Sequence, residues 1–146
     1  MRCRTDETLR YVQFLARRFE KHNIKAVILI ILIDLGFSPG NDGFAYLRSA
    51  IELHVSGAAS YTIKGIYPAI SPAGGDDHSW HYIDQAIRRA VKAAWNGRDA
   101  EIWELFFPLS NGENANCPPN KEFIARISCI VELWQSCREA DYERTI

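Results

Sequence analysis

The sequence predicts an all-α fold, a single compact helical domain of six to seven helices. Three observations predict it. Apolar residues recur at i, i+3, i+4 and i+7 through most segments, the period of a helix lying on a core. Clusters of Gly, Pro and Asn separate those segments at helix-length intervals. The strongest strand-like run, Ala26 to Ile33, has no second run of comparable strength to pair with.

Met1 to Arg4 reads as a loose basic end. Residues 6–21 form the first predicted helix, with Leu9, Val12, Ala16 and Phe19 at helical spacing. Asp6 and Glu7 suit the positive end of its dipole, and Arg10, Arg17, Arg18 and Lys21 give it a basic outer side. Residues 24–35 contain AVILIILI, which periodicity alone leaves open between buried strand and buried helix. Gly36 as a C-cap and the missing strand partner favour a central core helix touched on most sides. Phe37 to Gly43 is a turn region. Phe44, Leu47, Ile51 and Val55 then mark a helix, and Thr62 to Ile70 a shorter one carrying Ile63, Ile66, Tyr67 and Ile70. Pro72 and Gly74-Gly75 stop it.

Ser79 to Trp95 carries the clearest helical pattern. Ile83, Ile87, Ala90, Val91, Ala94 and Trp95 form one apolar stripe, and Asp84, Gln85, Arg88, Arg89 and Lys92 the opposite face. Asn96-Gly97 ends it. Asp99 opens a short helix through Phe106, and Pro108 to Pro119 is a polar loop. Asn120 is expected to cap a last helix whose stripe is Phe123, Ile124, Ile127, Ile130, Val131 and Trp134. From Arg138 the chain is highly charged and reads as a fraying end. The expected organisation is a helical extension over 1–23, the main domain over 24–138 and a charged tail over 139–146.

Composition narrows the function classes. A chain of 146 residues suggests one domain, able to bury about 70% of its unfolded surface without cross-links. With 47% hydrophobic residues and a net charge of -1, it is not a disordered chain. The eight-residue run Ala26 to Ile33 is far short of the roughly 20 apolar residues of a membrane span. The first 25 residues carry seven Lys and Arg and no hydrophobic stretch, so no secretory signal is expected and the protein reads as cytoplasmic. Cys3, Cys117, Cys129 and Cys137 form no C-x-x-C pair, and all four are expected as free thiols. The charge is uneven: residues 1–98 hold 13 Lys and Arg against 9 Asp and Glu, and residues 99–146 hold 4 against 9. The chain is not strongly basic overall, so any polyanion site is a local patch.

Enzyme signatures are absent: no G-x-S-x-G, P-loop, H-E-x-x-H or G-x-G-x-x-G occurs. Asp76-Asp77 beside His78 and His81 suggests a metal site, but no third strong ligand is identifiable and a solvated turn fits better. No catalytic residue, metal, cofactor or small-molecule substrate is expected. The more informative constellation is Thr62–Ile70, a break over Ser71–His78, and the cationic helix Ser79–Trp95. This order suits a helix-turn-helix, whose second helix enters the major groove and reads bases near its N-terminus. Arg88, Arg89 and Lys92 lie further along, where phosphates are the usual partners. An ordinary solvated basic face fits the same pattern, so the pattern alone leaves both open.

Four stretches carry a family resemblance. They are Gly36 to Ile51 (GFSPGNDGFAYLRSAI), Ile63 to Ile70 (IKGIYPAI), Ala86 to Trp95 (AIRRAVKAAW) and Asn120 to Ala125 (NKEFIA). In order and spacing, from about Ile24 to Leu133, they resemble the C-terminal DNA-binding domain of the stage-zero sporulation protein A family, the sporulation response regulators of Firmicutes. The resemblance implies an all-helical domain with a helix-turn-helix, acting on promoter DNA and prone to pair head-to-tail on tandem sites. It implies no enzymatic activity and no cofactor.

The chain also departs from that pattern. The family's regulators carry an N-terminal receiver domain, and only about 23 residues precede the resemblance here, so phosphorylation control of that kind is not expected. The turn Ser71 to Asp77 is about two residues longer and adds two acidic groups. The family has Ser-Arg-x-Glu-Arg in the base-reading stretch, where this chain has His81, Tyr82, Ile83, Asp84 and Gln85. Arginine reads guanine bidentately and glutamine prefers adenine, so the family's base preference is not expected to transfer. Arg88 matches a family Arg in position.

The leading expectation is a DNA-binding transcription regulator with altered base preference, double-stranded DNA and a second copy of the chain being its partners. Ser79, His81, Tyr82, Asp84 and Gln85 are expected to face bases, with Arg88, Arg89 and Lys92 on the phosphate side. The alternative is a protein-interaction or dimerisation module that has lost DNA binding. The base-facing substitutions and the acidic turn favour that alternative, and the retained cationic face argues against it.

Overall fold

A computed structural model describes residues 6–20, 23–56 and 77–145, apart from residues 109, 111 and 113. Among these residues there are six helices and no strand: α1 (Asp6–Arg18), α2 (Ile24–Asp34), α3 (Asp42–Val55), α4 (Asp77–Asn96), α5 (Ala100–Phe106) and α6 (Asn120–Thr145). The predicted helix at Thr62–Ile70 and most of the following turn lie outside the described residues.

The centre of the molecule is α6, which packs against all five other described helices. Its Phe123, Ile124, Ile127, Ile130, Val131 and Trp134 are fully buried. A stripe that wide faces several neighbours at once, and so α6 takes the central place that the sequence assigned to α2. In α2, Val27, Ile28, Ile31 and Leu32 are buried, but Ala26, Leu29 and Ile30 are half-buried and Ile33 is 43% exposed. The expectation of a helix covered on most sides is corrected accordingly. α2 lies at the edge, chiefly against α3, with one side toward solvent.

The ends of α2 and α3 follow directly from local chemistry. Gly36 adopts φ of +95°, a left-handed conformation open mainly to glycine. Its N–H donates to the carbonyl of Ile33 (2.9 Å), and the Phe37 N–H donates to that of Leu32 (3.0 Å). These two bonds close a Schellman motif, and the burial of Phe37 and Leu32 completes it with an apolar contact. Asn41 then caps α3, its side-chain oxygen accepting from the Phe44 N–H at 2.8 Å. Asp99 does the same for α5, accepting from Glu101 and Ile102.

α1 packs onto α6 and α5 of its own domain. Val12, Leu15 and Ala16 are buried, while Leu9 and Phe19 are only half-buried. The inward face is thus turned slightly from the predicted one and includes Thr8, whose hydroxyl donates to the Leu105 carbonyl at 2.6 Å. The Tyr11 hydroxyl donates to Asp34 Oδ2 at 2.6 Å, fastening α1 to the end of α2. Burial, and then this bond, push the Tyr11 phenol well above the ordinary tyrosine range.

Two local expectations change. Asn120 does not cap α6. Its amide donates instead to the backbone oxygen and to Oδ1 of Asp84 on α4, at 3.0 and 3.1 Å. Cys117 and Cys137 form no disulfide, but Cys129 is disulfide-bonded, against the expectation of four free thiols. A bridge depends on which segments the fold brings together, which the spacing of cysteines along the chain does not show.

Candidate nucleic-acid interface

α4 is held from behind by α3 and α6. Ile83, Ile87 and Val91 are fully buried, with Ala86, Ala90 and Ala94 beside them. The crossing with α3 is close because Gly43 has no side chain. A β-carbon there would meet the carbonyl oxygen of Ala86 and come within 3.0 Å of Ala90 Cβ. A glycine at the start of α3 therefore sets how deeply α4 is seated, and with it the height of the outer face.

At 3.6 residues per turn, His81, Gln85, Arg88 and Lys92 fall on one outer strip, with Tyr82 and Arg89 beside it. His81, Gln85, Arg89 and Lys92 are exposed. The side chains of Gln85, Arg89 and Lys92 have no hydrogen bond or ion pair with any other described residue. Arg88 is half-buried and donates to the carbonyl of Pro118 at 3.3 Å, leaning over the loop that leads into α6. Cys117 lies in the same loop. Burial pushes its thiol up, against the opposing pull of Arg88, Lys92 and Arg98. The far end of α4 is closed by Arg98, whose guanidinium lies 3.8 Å from the Trp95 ring centre and donates to the carbonyls of Trp95 and Ser110.

Two expected base-facing residues are engaged within the protein. Asp84, at the margin of the strip, is half-buried, and its carboxylate accepts from Asn120. Tyr82 is 50% exposed, yet its hydroxyl donates to Asp42 Oδ2 on α3 at 3.0 Å, and its ring meets Tyr46 edge-on at 6.2 Å. The Asp42 bond is the main reason the Tyr82 phenol lies above the ordinary tyrosine range, and the nearby Arg89 charge opposes it. Asn41, Asp42, Tyr82 and Arg89 line one shallow groove where α3 starts beside α4. Ser79 lies within the first turns of α4, and its side chain is outside the described residues. Asp42 and Asn120 were not anticipated as parts of this surface. Both reach α4 from other helices, across 40 and 36 positions of sequence.

A sequence model of the sporulation initiation factor Spo0A C-terminal domain matches residues 28–131. The chain belongs to this family. Membership makes the Spo0A-type domain a DNA-binding domain of the sporulation-regulator kind and places it in a family of binding domains, not of enzymes. No solved structure matches the chain. The family match runs from within α2 to within α6 and takes in all of α3, α4 and α5, so α1 is added to the Spo0A-type domain on its α6 side. Among the described residues, no helix is long and apolar enough to cross a membrane, and no cluster of His, Cys, Asp or Glu is arranged to hold a metal ion.

Proposed function

We propose that this protein is a sequence-specific regulator that docks α4 against duplex DNA, with a base preference different from that of the sporulation regulators it resembles. One observation carries the reading. Gln85, Arg89 and Lys92 stand exposed on one side of a helix whose other side is fully committed to the core, and no described residue holds them. Cations that no described residue holds, standing on a helix seated in the core, suit phosphate oxygens, and an exposed Gln beside them suits an adenine edge. In this reading Arg88, Arg89 and Lys92 lie on the phosphate side, and Ser79, His81, Tyr82 and Gln85 face bases. Asp84, tied to Asn120, supports the helix from its margin. The protein would act in the cytoplasm, where chromosomal DNA is, and pair with a second copy on adjacent sites.

Fluorescence anisotropy with labelled duplexes over a range of salt concentrations tests this. Affinity should fall steeply with salt, because each neutralised phosphate releases condensed counterions. Arg89→Ala or Lys92→Ala should weaken all sequences alike and flatten the slope. Gln85→Ala should instead change which sequences are preferred. The carboxylates of Asp42 and Asp84 at this surface favour the second reading, an interaction module without DNA binding. Absence of binding to any duplex at low salt would leave that second reading standing.

A further inference from the structure

The bond between Tyr82 and Asp42 joins two helices at the edge of the outer strip of α4. Asp42 is in the first turn of α3, beside the Asn41 cap and next to Gly43, the glycine on which α4 is seated. Its carboxylate accepts a hydrogen bond from the Tyr82 hydroxyl at 3.0 Å, and Tyr46, also on α3, braces the Tyr82 ring edge-on with an interplanar angle of 84°. Half of Tyr82 remains exposed beside Arg89. The side chain is therefore presented outward in one orientation, held by two contacts from the same neighbouring helix.

We infer that Asp42 is a positioning residue that sets base specificity through Tyr82, an inference that rests on the DNA-binding reading above. A phenol has one proton to donate and lone pairs to accept with. With its one hydrogen bond donated to Asp42, the phenol oxygen meets DNA as an acceptor only. In the major groove the donors are the amino groups of adenine and cytosine, whereas guanine and thymine oxygens, purine N7 and every phosphate oxygen only accept. The Tyr82 oxygen thus selects an amino-bearing base edge and rejects an acceptor edge. Asp42 itself touches no base in this scheme. Its negative charge lowers affinity for every sequence alike, because it repels phosphates.

Four variants and two readouts test this. The first readout is selection of bound sequences from a random duplex pool, followed by anisotropy on the sites recovered. Wild type should favour adenine or cytosine over guanine or thymine at one position by roughly tenfold, the scale of a single base contact. Tyr82→Phe should reduce that preference to below about twofold at the same position only. Asp42→Ala frees the phenol proton and should abolish the same preference, and the double variant should add nothing further. Asp42→Asn removes the charge but keeps an accepting oxygen, so it should bind all sequences more tightly and retain the preference. The second readout needs no DNA. Ultraviolet difference titration of wild type against Tyr82→Phe isolates the Tyr82 phenol, which should ionise above the ordinary tyrosine range and return toward it in Asp42→Ala. Circular dichroism confirms that each variant is folded. The proposal is overturned if Asp42→Ala keeps the wild-type preference, if it shifts the profile equally when Phe stands at 82, or if the phenol titrates normally in wild type. A complete lack of duplex binding overturns both the DNA-binding reading and the specificity role. A wild type that binds with the same profile as Tyr82→Phe overturns the specificity role alone.

Discussion

Nine of the eleven residues of α2 are apolar, and four of them are buried outright, whereas Ile33 at its far end is 43% exposed. α4 mixes charged and apolar residues throughout, and every member of its apolar stripe from Ile83 to Ala94 is buried while Gln85, Arg89 and Lys92 are outside. The helix with more apolar surface is the one with the less definite inside. A uniformly apolar run says only that burial is favourable. It does not say which side goes in, because each rotation about the helix axis buries a similar area. An amphipathic run encodes its own orientation, because any other rotation would bury unpaired charge.

This contrast is best broken by large-to-small substitutions. Ile87→Ala in α4 and Ile31→Ala in α2 remove fully buried side chains, and each should lower stability by about 2–5 kcal/mol in denaturant unfolding. Gly43→Ala probes what seats α4. The added methyl would run into the Ala86 carbonyl, which is backbone and cannot step aside cheaply. A loss of about 1–3 kcal/mol is expected by the same measurement, and the helices should part at the crossing, visible as chemical-shift changes around Ala86 and Ala90.

The tie of α2 to α1 is sharpened by pH. In the folded chain the Tyr11 phenol is held protonated by burial and by Asp34, well above the value of 10.0 that an ordinary tyrosine shows. Its contribution to stability is complete below that value. As pH rises past it, the unfolded chain releases the proton and the folded chain does not, so stability falls by about 1.4 kcal/mol per pH unit from this group. Tyr11→Phe should be less stable at neutral pH, for want of the bond to Asp34, and should show a shallower alkaline decline. Unfolding curves taken between neutral and strongly alkaline pH distinguish the two. The smallest effect belongs to the open side of α2. Ile33→Ser should change stability by no more than about 0.5 kcal/mol, as surface substitutions do. A cost equal to that of Ile31→Ala would mean that the exposed side of α2 is covered after all.

Most of the helices were legible in advance because each carries its own periodicity and punctuation. Gly36 ends α2 and Asp99 opens α5 as expected, and the stripe of α6 from Phe123 to Trp134 is buried as a whole. Of the candidate interface, the outer cations Arg89 and Lys92 were legible for the same reason. The roles of Asp84 and Tyr82 within the protein were not, since their partners Asn120 and Asp42 lie on other helices. Asn120 shows why: an Asn before a helical run is a good cap by local rules, and only the approach of α4 gave its amide two acceptors on Asp84 instead.

What the sequence by itself determined is therefore the helical class, the order of the described elements and the inward faces of α4 and α6, because periodicity is a property of one segment and its solvent. What only the tertiary structure decided is how those segments meet. It made α6 the hub in place of α2, drew Cys129 into a disulfide, seated α4 on Gly43 and placed the Asp42 carboxylate on the Tyr82 hydroxyl. Those outcomes depend on crossing angles and close approaches between residues tens of positions apart, which come from the packing of all the helices together.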